Sequence, residues 1–176
     1  MKRIIGLVLF SVLLVSCQQK EEPKPQYKFP TDSTMSVQSN SEEKMLRDVL
    51  AKDPANLNGW IRLGNMLMDN SRYAEAAEAY SKALDLDPKN VDVRVDMGTC
   101  YRNIGKPDLA VKEFNKALEY NPNHLNAHRN LGIVSEYDLK DKTRAIKEFE
   151  KYLQLGPNAS DAEVVRQEIQ KLKAAK

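Results

Sequence analysis

Aromatic residues are scarce in this 176-residue chain: they make up 7% of it, with a single tryptophan. Charged residues take 30%. That balance does not build the thick core of a compact enzyme and suits a helical protein with much exposed surface. Cysteine is scarcer still. Cys17 and Cys100 lie far apart and form neither a disulfide framework nor a metal-spaced pair. There is no glycine-rich phosphate loop and no Gly-x-Ser-x-Gly nucleophile turn. No apolar run reaches the ~20 residues that a membrane-spanning helix needs. Net charge is also missing. The formal charge is +2, and Lys2 and Arg3 account for it; the remainder carries 25 basic and 25 acidic residues. A neutral chain has no general pull on nucleic acid or anionic lipid, so neither is expected as a bulk partner. The sequence therefore reads as a non-enzymatic protein without a bound cofactor.

The N-terminus is built as an address. Met1-Lys2-Arg3 precedes an apolar run from Ile4 to Val15, the basic-then-apolar order of a secretory signal. The run ends in Leu14-Val15-Ser16-Cys17. This resembles the lipobox of bacterial lipoproteins. The resemblance implies a signal peptide over 1–16, cleavage after Ser16, and a diacylglyceryl thioether on Cys17. A cysteine thiol is the group that takes the lipid. Acyl chains anchor at about 0.8 kcal/mol per buried CH₂. The implied location is the bacterial cell envelope, lipid-anchored. Gln18 in place of an aspartate favours the outer membrane facing the periplasm, with surface exposure as the alternative. Residues 17–40, with Pro23, Pro25 and Pro30 and a Ser/Thr/Gln-rich end, read as the lipidated cysteine and a flexible linker, reaching about 25 Å.

From Ser41 onward the pattern turns helical. Trp60, Leu63, Gly64, Leu67, Ala76, Tyr80, Ala83 and Pro88 fall at fixed spacings. A shift of 34 residues gives Arg94, Met97, Gly98, Tyr101, Ala110, Phe114, Ala117 and Pro122. A second shift gives His128, Leu131, Gly132 and Ser135. One residue inserted in the next turn then aligns Ala145, Phe149, Tyr152 and Pro157. This resembles the tetratricopeptide repeat (TPR), with its Trp-x₂-Leu-Gly-x₂-Tyr, Ala-x₃-Phe-x₂-Ala and Pro pattern. The resemblance implies an all-α TPR solenoid of antiparallel helix pairs in a right-handed superhelix. Repeats are expected over 57–90, 91–124 and 125–159, after a degenerate half-repeat helix over 41–56 and before a capping helix over 160–176. Ser160-Asp161-Ala162-Glu163 has the form of a capping box, and Val165, Ile169 and Leu172 share one face of the helix beyond it. A solenoid needs such an end, because its last repeat would otherwise bare an apolar face.

The implied function is protein–protein interaction, with the first helix of each repeat lining a concave groove. The groove slots are Asn58, Ile61, Arg62, Asn65 and Met68; then Asp92, Val95, Asp96, Thr99 and Arg102; then Asn126, Arg129, Asn130, Ile133 and Tyr137. They recur at three- and four-residue steps and so share a face. Asparagines there can grip a peptide backbone, and arginines can grip carboxylates. The expected role is a membrane-anchored adaptor or scaffold for an envelope protein complex, holding an envelope protein or peptide segment. Two rival readings stand beside it. His124 and His128, four residues apart, could share a helix face as metal ligands, or the chain could be a self-associating structural protein. Binding on the convex side is the alternative to the groove. Cys100, amid apolar neighbours, reads as a small core residue.

Overall fold

The computed structural model describes residues 32–174. The expected signal peptide, Cys17 and residues 18–31 lie outside the described residues. Helix α1 spans Asp32–Lys52, α2 Leu57–Asp69, α3 Tyr73–Leu86, α4 Val91–Asn103, α5 Pro107–Tyr120 and α6 Leu125–Ile133. A π-helical turn, Val134–Asp138, extends α6; then come α7, Lys142–Leu155, and α8, Ala162–Ala174. No strand occurs among the described residues. The helices pair as α2/α3, α4/α5 and α6/α7, and α3 packs on α4, α5 on α6 and α7 on α8. The fold is an α-solenoid, as the repeat spacing predicts.

One contact is repeated three times and sets the pairing. A Cβ on Gly64 would stand 2.5 Å from the ring of Tyr80. At Gly98 the same distance to Phe114 is 2.5 Å, and at Gly132 to Phe149 it is 2.5 Å. Each second helix thus drives an aromatic ring onto the bare backbone of the first. Tyr80 and Phe114 are fully buried, and Ala76, Ala110 and Ala145 are buried beside the rings. The core is correspondingly thin and divided into three joints, one per repeat interface.

The helix starts keep the same period. Asn56 accepts a hydrogen bond from Gly59 N at 2.8 Å and Asn90 accepts one from Val93 N at 3.2 Å. His124 fills the third slot and accepts from Ala127 N through Nδ1 at 3.1 Å. These side chains satisfy backbone donors that the helix itself leaves open.

Three expectations are corrected. The half-repeat helix begins at Asp32, so residues 32–40, expected as the end of the linker, are helical. Pro30 is the last breaker before it; there is no further proline or glycine until Asp53-Pro54, so a helix nucleated by the packed segment propagates backward. The residue inserted in the third repeat is not taken up in the turn. It enters the helix as the π turn: Asp141 N bonds Ser135 O, where Arg72 N bonds Leu67 O and Lys106 N bonds Tyr101 O. A π turn lets the helix absorb one extra residue, so that α7 still meets α6 in the register of the other repeats. Lastly, the residue immediately before α8 is Asp161, not Ser160. Its carboxylate takes Arg129 and the Tyr152 hydroxyl, tying the cap to the third repeat.

Candidate protein-binding groove

The slot that holds tryptophan in the first repeat shows why two departures from the repeat pattern are tolerated. Trp60 Nε1 donates to the carbonyl of Pro54 at 2.9 Å. Arg94 donates to Pro88 O, with Nη2 at 2.7 Å. His128 Nε2 lies 2.9 Å from Pro122 O. Three different side chains therefore tie the first helix to the proline that ends the preceding one. The two that replace tryptophan share a second partner: Arg94 Nη1 meets Glu113 at 2.7 Å and His128 Nδ1 meets Glu148 at 2.7 Å. Glu113 and Glu148 occupy equivalent positions on α5 and α7. His124, meanwhile, spends Nδ1 on its cap and sets Nε2 2.9 Å from Asp92. Both rings are thus taken up by protein partners. Among the described residues no three His, Cys, Asp or Glu side chains cluster to hold a metal.

This assignment is testable. His128→Arg reproduces the Arg94–Glu113 arrangement and is expected to melt within a few degrees of wild type. His128→Ala leaves Glu148 without its partner and is expected to cost about 1–3 kcal/mol, seen in a denaturant melt. Equal losses in the two variants would show that the ring itself matters, as a metal ligand would.

The groove positions divide by what they touch. Asn58, Arg62, Asn65, Asp92 and Asn126 are exposed or partly so; Asp96, Thr99, Arg102, Arg129, Asn130 and Ile133 are half-buried. Val95, expected on the groove face, is buried against Ala127 and Leu131 instead. Its side of α4 is where the next first helix packs. Ile61 and Met68 also pack partly on the core.

Much of the remaining polarity is already used within the protein. Asn65 Oδ1 accepts the Tyr80 hydroxyl at 2.8 Å, which keeps its amide N–H groups for a ligand. Thr99 Oγ1 bonds Val95 O at 3.0 Å and receives Asn130 Nδ2 at 3.2 Å. All three groove arginines are paired: Arg62 with Glu42 of α1, Arg102 with Asp138 at 2.6 Å, and Arg129 with Asp161. The expected cationic grip on an acidic ligand must therefore compete with carboxylates of the protein itself. The acids are less well compensated. Burial, and the nearby Asp92, push the Asp96 carboxyl up to about 6, with His124 acting in the other direction. Cys100 is fully buried, and burial with the Asp96 charge raises its thiol to about 12. It is a core residue and an inert one.

The groove ends in a pocket of about 360 Å³ between α6, the π turn and α8. Arg102, Arg129, Ile133 and Tyr137, all groove positions, line it together with Phe149, Val164 and Glu136. Glu136 is absent from the expected groove slots. Counting 34 from Met68 gives Arg102, and 34 more gives Glu136, so the register contains it. Tyr137, the residue beside it, lines the same pocket. A shallower depression of about 570 Å³ lies on the second-helix side, walled largely by long charged chains such as Lys147, Glu150 and Lys151.

The model of the cytochrome c-type biogenesis protein H TPR domain matches residues 40–164. The chain belongs to this TPR family. No curated protein matches it in sequence. Among solved structures, MamA is similar over 81% of this chain and 82% of its own, at 20% identity and a TM-score of 0.68. The TPR protein YrrB, described as having an unusual peptide-binding site, is similar over 76% of this chain and 69% of its own, at 21% identity and a TM-score of 0.68. The first TPR domain of Spaghetti (RPAP3), bound to an HSP90 peptide, is similar over 68% of this chain and 91% of its own, at 25% identity and a TM-score of 0.62. These likenesses place the TPR domain among solenoids, and the family points to a protein–protein interaction module.

Proposed function

We propose that this TPR domain is a lipid-anchored adaptor of the bacterial cell envelope that holds a polypeptide segment in its groove during assembly of an envelope complex. The observation that carries the reading is the row Asn58, Arg62, Asn65, then Asp92, Asp96, Thr99, Arg102, then Asn126, Arg129, Asn130, Ile133. It runs along three successive first helices and ends in a pocket that no part of the described chain fills. Peptide-bound and peptide-binding relatives of the same fold support it. The name of the matching family directs attention to c-type cytochrome maturation among envelope assembly processes. The lipobox at Leu14–Cys17 supports anchoring through Cys17, with the outer membrane facing the periplasm as the preferred location. Among the described residues no helix is long and apolar enough to cross a membrane.

Two measurements test the reading. Cys17→Ser is expected to abolish labelling by radioactive fatty acid and to release the protein from the membrane fraction. Labelling that persists removes the lipoprotein assignment. Photocrosslinkers placed at Asn65 and Asn130 in the lipidated protein are expected to capture a partner segment in cells, while crosslinkers at Lys147 and Lys151 on the second-helix side are not. The reverse pattern would move the binding site to the convex face.

A further inference from the structure

Carboxyl groups outnumber cations at the C-terminal end of the groove. Three cations lie around the pocket, and each has a carboxylate of its own: Arg102 with Asp138, Arg129 with Asp161, and Lys171 with Glu168 at 3.0 Å. The fourth carboxylate, Glu136, forms no ion pair among the described residues. Its Oε2 is closed to solvent and lacks any hydrogen-bond partner. Its remaining bonds go to Glu168 and to Tyr137, a second acid and a phenol. Burial first, and then the Glu168 carboxylate, push Glu136 up to about 7, against the weaker opposing pull of the Tyr137 hydroxyl and the Lys171 charge. A carboxyl so placed gains from any cation that reaches it. The rest of the pocket is apolar: Ile133, Phe149 and Val165 form its floor, while Val164, 64% exposed, and Tyr137, 50% exposed, stand at its rim.

We propose that this pocket receives a lysine or arginine side chain of the segment held in the groove, its charged head against the hydrogen-bonded Glu136–Glu168 pair, sharing Glu168 with Lys171, and its methylene stem against Ile133, Tyr137 and Val164. The inference rests on the groove being the binding face. A basic side chain fits both halves of the pocket, because its stem is apolar and its head is charged. An acidic side chain would have to break Arg102–Asp138 or Arg129–Asp161 and would still face Glu136. The pocket also continues a groove in which Asp96, half-buried and without an ion pair among the described residues, is acidic.

The test compares two blocked pentapeptides, Leu-Ala-Lys-Ala-Leu and its norleucine counterpart, which keeps the stem and drops the charge. Each carries a photoreactive terminus and is titrated against the full chain in detergent. The lysine peptide is expected to bind about tenfold tighter than the norleucine peptide, the ratio one well-placed charge pair supplies. In Glu136→Gln the ratio should fall to about twofold or less. That substitution replaces a raised-pKa carboxyl by a neutral isostere, so the melting temperature should hold or rise; Glu168→Gln, which gives up the Lys171 pair, provides a second variant expected to lower the binding ratio likewise. Equal binding of the two peptides, a ratio that survives both substitutions, or no saturable binding of the lysine peptide at millimolar concentration would overturn the proposal. The crosslinks separate the two levels of failure. Equal binding with crosslinks to α4 and α6 leaves the groove reading intact and removes only the charge assignment. Crosslinks to α5 and α7 remove the groove reading.

Discussion

Gly98→Ala is expected to be among the most destabilising single substitutions in this chain, although alanine is the better helix former. The new Cβ would lie 2.5 Å from Phe114 Cε1 and 2.8 Å from its Cδ1. A ring in a fully buried joint has nowhere to retreat, since Ala110, Ala117 and Val95 close around it. Overpacking of this kind costs about 1–3 kcal/mol and outweighs the ~1 kcal/mol of helix propensity that alanine gains. The α4/α5 joint is central, so its loss uncouples the first repeat from the third as well. Gly105→Ala provides the contrast. That residue has nothing within 4 Å of its would-be Cβ but sits at φ +72°. Its cost is conformational and smaller, about 1 kcal/mol. In a Phe114→Leu background the Gly98→Ala penalty should shrink, because the smaller side chain yields. Chemical denaturation of the four-member cycle measures the coupling. Additive effects would show that the glycine is not there to admit the ring.

The contrast bears on what the sequence made legible. The repeat period exposed Gly64, Gly98 and Gly132 and their aromatic partners without any coordinates, because a close helix approach leaves a strict signature of missing and large side chains. The same period put the polar positions of the first helices on one face, with Val95 wrongly among them and Glu136 left out. Their partners were not legible. Arg62, Arg102 and Arg129 look like free cations in a row, yet each ends on a carboxylate from another element, and sequence spacing says nothing about pairs separated by 20, 36 and 32 positions. Arg94 and His128 look like losses of the tryptophan slot. In space they keep its one hydrogen bond, to the carbonyl of the proline six residues earlier, because a donor at that height is what the joint needs rather than an indole. The π turn was hidden for a different reason. An insertion counted by period can sit anywhere between the two matched blocks, and only the shift from Leu67–Arg72 and Tyr101–Lys106 to Ser135–Asp141 shows where it went.

Removal of residues 160–176 is expected to lower the melting temperature by about 10–20 °C and to make the protein self-associate. Val165 and Ile169, 6% and 7% exposed, form one joint with Phe149 and Tyr152 of the third repeat, and Leu172 packs beside them. Burial of such side chains is worth about 1.5–3 kcal/mol each. Two full contributions and part of a third give roughly 4–6 kcal/mol, an upper estimate because the unfolded chain is not fully extended. For a domain of this size each kcal/mol shifts the midpoint by about 2–4 °C. The polar side acts in the same direction. Asp161 accepts from both Arg129 and Tyr152, so its removal leaves a half-buried guanidinium and a buried phenol without their partner. The Tyr152 and Phe149 surface so exposed has no edge to stop a second copy from stacking on it, which is why end caps are required in solenoids. Far-ultraviolet circular dichroism should still report a helical chain, since α2 to α7 keep their own joints. Sedimentation at increasing concentration should report growth in mass. A truncated chain that melts at the wild-type temperature and stays monomeric would show that α8 rests on the solenoid without holding it. The pocket bounded by Val164, Val165 and Glu168 would then belong to a mobile end.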